Sequence, residues 1–346
     1  MNNKKKKTIR IITVFIVGIV LFASIYGYSI YQDIFKSNVS KDVFVYIPTN
    51  SDYNEFIDSL KSLNALKSLN AFEKTASLKK FNKVKPGKYE LKKGMTNNAL
   101  VNLFRSGKQA PVKLTFNNVR NIEELASKVS KIIEADSSDI TGLLNNDDII
   151  SEYDFNKKTI IGMFIPNTYE FYWNTSAKLF FKKMNAEYNK FWNEKRLAKA
   201  KKINLTPKEV SVLASIVQAE QREHNDEKAI IAGLYINRLK RGMLLQSDPT
   251  LIFASGDFSK KRVLNKDKKI ESPYNTYKYE GLPPGPINMP EISSLNAVLN
   301  YKKNNYIFMC AKEDFSGYHN FATNTKQHGV NARKYQQALN KKRIWK

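Results

Sequence analysis

Twenty-two consecutive residues, Ile11 to Gln32, carry no charge, and this run constrains everything the chain can become. Ile, Val, Phe, Leu and Tyr dominate it. A helix of that length crosses the hydrocarbon core of a bilayer. Lys4 to Lys7 and Arg10 precede the run, and the first acid, Asp33, follows it. That asymmetry puts a basic tail, residues 1–10, in the cytoplasm, a transmembrane helix at 11–32, and the remaining ~310 residues outside the membrane. A cleaved signal peptide fits less well, because the run exceeds a typical h-region and Ser24 or Gly27 makes a poor cleavage site. Tyr26, Tyr28 and Tyr31 suit the outer interface.

A chain on that side of a membrane often relies on disulfides, but Cys310 is the single cysteine and no intramolecular bridge can form. A packed core must hold the fold instead. Cys310 itself lies in Tyr306–Ala311, an apolar run that reads as a buried strand with a structural thiol. Lys and Arg outnumber Asp and Glu by 57 to 32, a formal charge of +25. Such a chain is drawn to nucleic acid, a membrane surface or an acidic polymer. The charge is spread along the sequence with no Arg-rich recognition helix, so nucleic acid is not an expected partner. A genome-wide preference for lysine would generate much of the same excess.

Beyond the apolar run, Lys41–Ile47 reads as a strand stopped by Pro48, and Ser51 or Asp52 can cap a helix to about Leu63. A hexamer recurs, Leu60–Ala65 then Leu66–Ala71, too short for a solenoid. Lys85–Lys88 marks a turn, Tyr89–Leu91 a short strand, and Thr96 to about Arg105 a helix ending at Gly107. Strand, helix, helix, strand, helix suggests a compact α+β module. Further on come a strand at Val112–Phe116 and a mostly helical stretch from Asn121 to about Asp148. A strand and turn are expected over Ile160–Tyr172, and one basic helix over Ala177–Ala200. A helix from about Asp226 to Lys240 stops at Gly242. From there Gln246–Thr250 is turn-rich, Ser259–Lys269 a solvated basic loop, and the proline-fixed runs Ser272–Tyr277 and Gly281–Ile287 are extended, the kind of loops that line sites.

Between these parts Thr206–Gln221 carries a complete helix start: Thr206 as N-cap, Pro207 at the first position, and Glu209 closing a capping box. Val210, Leu213, Ala214 and Val217 then form one apolar stripe. Glu220 ends the run on the flank of that stripe. A partly desolvated carboxyl there is pushed towards its protonated form, the state a general acid needs. The alternative is a solvated glutamate at a fraying helix end, and periodicity alone leaves both open.

Several chemistries find no support. The histidines His224, His319 and His328 are far apart in sequence, with no His-Glu-x-x-His, so no metal site is expected. His224 reads as a solvent-facing helix-end residue. No Gly-x-Ser-x-Gly elbow and no glycine-rich phosphate loop occurs. Glycosidic chemistry remains, with Asp248 as the one evident carboxylate partner for Glu220; a purely structural Asp248 starting a turn is the other reading. Glu223, Asp226 and Glu227 read as caps and surface charges.

Leu213–Glu220, Tyr235–Leu239, Gly242–Thr250, Tyr274–Tyr277 and Gly281–Pro286 occur in that order, with Phe164–Tyr169 upstream and a histidine-bearing C-terminal run. Together they resemble the membrane-bound endolytic murein transglycosylases of the YceG-like family, from about Val43 to the C-terminus. The resemblance implies an N-terminal anchor, a small LysM-like α+β module (41–110) and a mixed helical/β lytic transglycosylase-like catalytic domain (111–346), α+β throughout. It implies cleavage between N-acetylmuramic acid and N-acetylglucosamine within peptidoglycan strands, with 1,6-anhydro ends and no cofactor. Where the family usually has Val-Glu-Lys-Glu, this chain has Gln218 and then Glu220, which leaves Glu220 as the match to the catalytic acid; Ser247 replaces a common Thr and keeps the hydroxyl. Gln246, Asp248, Asn275 and Tyr277 are expected to bind and position sugar. Peptidoglycan, the membrane and cell-wall synthesis enzymes are the expected partners. Two rivals remain: a non-catalytic peptidoglycan-binding scaffold, and a water-using muramidase with Glu220 and Asp248 as its pair.

Overall fold

In a computed structural model, which describes residues 3–117, 119–260 and 262–342, the chain divides into two compact units. The first runs to Lys113 and takes in the short segments Ile132–Glu134 and Glu170–Thr175. It begins with helix α1, Asn3–Phe35, longer than the expected span at both ends. Apolar side chains along it stand exposed, among them Val14, Phe15, Phe22 and Ile25. A helix that is apolar all round and buries none of that surface has the length and composition to cross a membrane. Its last turn is tied into the unit: the Asp33 carbonyl accepts from the Thr75 hydroxyl at 3.2 Å and from the Asn97 amide at 2.7 Å.

Strand β1 (Val43–Ile47), helices α2 (Tyr53–Ser62) and α3 (Leu69–Leu78), strand β2 (Gly87–Leu91) and helix α4 (Asn97–Ser106) follow in the order the sequence predicts. β1 and β2 pair antiparallel, Val43 opposite Leu91. Phe56, Phe72 and Phe104, one from each helix, meet edge to face in a core completed by Tyr89 and Leu91. The repeated hexamer makes no structural repeat, because its first copy closes α2 while the second opens α3, capped by Ser68.

Strand β3 (Val112–Phe116) leads into the second unit and pairs with β4 (Asn167–Phe171). Helices α5 (Ile122–Ser130), α6 (Ser137–Leu144) and α7 (Asp147–Ser151) lie between them in sequence. Of the strand and turn expected over Ile160–Tyr172, the strand is β4 itself, and it is preceded by a 3-10 helix, Ile160–Met163. The single basic helix expected over Ala177–Ala200 is two, α8 (Ala177–Phe191) and α9 (Glu194–Lys202), because Asn193 turns out of helical geometry and caps the second through Arg196 N at 3.1 Å.

Helices α10 (Pro207–Glu220), α11 (Asn225–Lys240), α12 (Asp248–Ser255) and α13 (Ile292–Leu299) build the core of this unit, with α10 packed against the other three. The Gln246–Thr250 run therefore ends in a helix rather than an open turn, Asp248 being its first residue. Gly285 explains the extended Gly281–Ile287 path, since a Cβ there would sit 1.9 Å from the Lys158 carbonyl oxygen. Strands β5 (Phe308–Ala311) and β6 (His319–Ala322) pair antiparallel, and α14 (Thr325–Lys341) covers them. β5 is half-buried rather than buried.

Candidate active site

The capping box at the start of α10 forms as the sequence dictates: Glu209 N donates to Thr206 Oγ1 at 3.3 Å, and Thr206 N donates back to Glu209 Oε2 at 2.7 Å. The rest of the helix departs from expectation. Every residue from Val210 to Gln218 is buried, so α10 is a core helix without a solvent face rather than one with a single stripe. Ser211 and Ser215 are accommodated by returning their hydroxyls to the Pro207 and Val212 carbonyls, and Ser215 Oγ also accepts from Ile287 N at 3.0 Å. Glu220 is the last helical residue, and the chain turns extended at Gln221.

Glu220 Oε1 accepts two hydrogen bonds, each 2.6 Å, from the Tyr235 and Ser247 hydroxyls. No described residue donates to Oε2. The carboxyl borders a cavity of about 330 Å³. Burial pushes its pKa above the ordinary glutamate value, and the nearby Asp248 charge adds to the rise; the two hydroxyls and His319 pull the other way. Enclosure therefore outweighs the two donors, and the acid form persists to higher pH than in an exposed glutamate.

The structure brings Gln246, Asp248 and Tyr277 to the same cavity and leaves Asn275 out of its lining. Asp248 Oδ1 accepts from the Tyr277 hydroxyl at 2.5 Å. Burial and that carboxylate both hold the phenol neutral. Gln246 takes the left-handed backbone, φ 52°, and its Oε1 accepts from Arg238 Nη2 at 2.7 Å. Asn275 is fully buried. Its amide donates to the Lys268 and Ile270 carbonyls at 3.0 and 2.8 Å and accepts from Tyr277 N at 2.9 Å. It builds the loop that presents Tyr277.

Residues 45–334 match the sequence model of the YceG-like family. The chain belongs to that family. Among its relatives are the endolytic murein transglycosylase of Bacillus subtilis (strain 168), 30% identical over 336 residues and covering 92% of each chain, and that of Streptococcus pneumoniae D39, 26% identical over 92% of this chain and 64% of its own length. A crystal structure of a yceG-like protein from Listeria monocytogenes superposes with a TM-score of 0.56 at 25% identity, over 84% of this chain and 98% of that one.

This YceG-like chain also gathers residues that sequence reasoning passed over. Tyr235 and Arg238 stand three apart on α11, spacing that places both on one helix face and could have marked them as a pair. Arg238 is buried and donates to the Leu244 and Ile307 carbonyls as well as to Gln246, at 2.8, 2.6 and 2.7 Å. Glu227, expected as a surface charge, is 3% exposed. Its carboxylate accepts from Gln221 Nε2 at 2.7 Å and from His319 N at 2.9 Å, and lies 2.7 Å from His319 Nδ1. These bonds outweigh burial and hold its pKa below the usual glutamate range. His319, remote from Glu220 in sequence, thereby joins the cavity lining. His224 does stand at a helix end, the N-cap position of α11, but it is half-buried, stacked on Tyr318 with ring centroids 3.8 Å apart. Cys310 lines the cavity from the half-buried β5, and burial raises its thiol pKa, which keeps it protonated. Among the described residues, no group of three or more His, Cys, Asp or Glu is placed to hold a metal ion.

Proposed function

We propose that the chain is an endolytic murein transglycosylase that cuts the bond from N-acetylmuramic acid to N-acetylglucosamine inside glycan strands. One observation carries the reading: a carboxyl with a raised pKa ends a buried helix at the edge of a cavity, with one oxygen held by two hydroxyls. Protonated Oε2 gives its proton to the glycosidic oxygen as the C1–O bond breaks. The two hydrogen bonds on Oε1 stabilise the carboxylate that results. That carboxylate takes the proton from the muramyl C6 hydroxyl as the C6 oxygen bonds to C1, which leaves a 1,6-anhydro end and restores the acid. A nucleophile carried by the substrate acts at high effective concentration, so a second carboxylate is not required. Gln246, Asp248 and Tyr277 hold the sugar, Asn275 acts through the loop it braces, and His319 offers a further polar edge.

The electrostatic influence of Asp248 on Glu220 favours one rival, hydrolysis by that pair of carboxylates. Digestion of purified glycan strands followed by mass spectrometry of the new ends separates the readings. Anhydro ends are expected; reducing muramyl ends would establish hydrolysis, and intact strands under all conditions would leave a peptidoglycan-binding scaffold.

Helix α1 serves in this reading as a single-pass anchor with residues 1–10 in the cytoplasm and the remainder facing the wall. Residues 41–110 act as a LysM-like glycan-holding module and 111–346 as the catalytic domain. The activity for which the relatives are named and the excess of cationic side chains support a site of action on the anionic wall next to the enzymes that build it.

A further inference from the structure

A second cavity, about 230 Å³, is lined by Arg120, Gln218, Arg222, Lys228, Asn288 and Glu291. Its most unusual member is Lys228, 1% exposed. Lysine is almost never buried so completely without a close carboxylate. Here the ammonium has the Ser293 hydroxyl at 3.2 Å and the Glu291 carboxylate only at 3.9 Å. Burial lowers its pKa and Glu291 opposes that. Arg120 and Arg222 add two exposed guanidinium groups at the rim. No described residue forms a salt bridge with Arg222. Three cationic side chains thus line the cavity with one carboxylate, although Arg120 also rests over the Phe258 ring and near Glu124.

Asn288, in the same lining, carries an unpaired acceptor. Asn288 Nδ2 donates to the Ser215 carbonyl at 3.0 Å, which fixes the amide's orientation, and Asn288 Oδ1 is buried with no hydrogen-bond partner among the described residues. Gln218 cannot answer it, because its own amide is turned to the Met289 carbonyl at 3.4 Å while its Oε1 accepts from Glu291 N at 2.5 Å. A bare oxyanion would suit the cations and leave Asn288 Oδ1 unsatisfied. A peptide that ends in a carboxylate supplies both halves: the carboxylate for Arg222 and Lys228, and the preceding amide N–H for Asn288 Oδ1.

We propose that this cavity is a subsite for a carboxylate-terminated peptide. If the chain acts on murein as argued above, that peptide is the one attached to the glycan strand. Gln218 and Glu220 lie two residues apart at the C-terminal end of α10, so both cavities border that helix end; on α11 the subsite takes Lys228 near the N-terminus and the Glu220 cavity takes Tyr235 and Arg238 further along.

The test titrates the full chain with an N-acetylated dipeptide bearing a free C-terminal carboxylate, with the C-terminal amide of the same dipeptide, and with inorganic phosphate. The acid is expected to bind roughly ten-fold more tightly than the amide. Arg222→Gln, an exposed position where folding is not at stake, should abolish that preference. Gln218→Glu should do the same by placing a competing carboxylate in the cavity. Equal binding of acid and amide, no binding of either, or tighter binding of phosphate than of the acid would overturn the proposal. Cleavage of glycan strands is measured separately. Loss of cleavage with peptide binding intact would sink the murein reading and leave the peptide subsite standing.

Discussion

In the proposed reaction Glu220 is an acid in one step and a base in the next, and its surroundings set opposing demands. Enclosure favours the protonated form, while hydrogen bonds from Tyr235 and Ser247 favour the carboxylate. Because the folded-state pKa is raised, the stability associated with this group is fully present below the unfolded value of about 4.3 and is lost as pH rises through the folded one. Glu220→Gln should therefore abolish cleavage, and should raise the melting temperature at pH 8 while changing it little at pH 4. Calorimetry at both values checks the sign; destabilisation at pH 8 would contradict an enclosed carboxyl. Ser247→Ala removes a donor that favours the charged form, so the alkaline limb of the pH–rate profile should move to higher pH as activity falls by about ten- to a hundred-fold.

At the scale of the element, α10 depends on its two ends. Thr206→Ala breaks the capping box and should cost about 1 kcal/mol, read as a melting temperature lower by roughly 2–4 °C in a domain of this size. Activity measured well below that temperature should be unaffected, since the cap lies a full helix length from Glu220. At the other end Gln221, the N-terminal part of α11 and β6 are joined through Glu227. A depressed folded pKa means that the stability Glu227 contributes is present above the unfolded value of about 4.3 and is lost as pH falls through the folded one. Glu227→Gln should lower stability near neutrality by about 1–2 kcal/mol and flatten the loss of stability below pH 4. Urea denaturation at pH 7 and at pH 3.5 measures both. An unchanged acid limb would mean that Glu227 is not the group that titrates.

For the whole molecule, the boundary between anchor and folded unit falls at Asp33 rather than at the end of α1. The Asp33 carbonyl serves Thr75 and Asn97, and Asn97 is itself 2.6 Å from Asn38. A chain that begins at Asp33 should remain folded and partition to the aqueous phase of a vesicle sedimentation assay, whereas the full chain sediments with the vesicles. A chain that begins at Lys36 should melt lower than the one beginning at Asp33. Equal melting temperatures would show that the last turn of α1 contributes nothing to the first unit.

Local chemistry was sufficient for the parts that depend on neighbours within a turn or two. The start of α10 at Thr206, the stop of α11 before Gly242, the uncharged run of α1 and the helix end at Glu220 are legible in the sequence because capping, backbone freedom and hydropathy act over a few residues. The ordered motifs from Leu213 to Pro286 likewise mark the family. Packing decided the rest. Glu227 reads as a surface acid until His319, 92 positions away, closes on it. Asn275 reads as a sugar ligand until the loop around Lys268 and Ile270 folds over its amide. Lys228 reads as one more lysine in a lysine-rich chain until α13 covers it. In each case the decisive partner is brought by the packing of distant segments, and desolvation by those segments, not the residue's own neighbours, gives the side chain its chemistry.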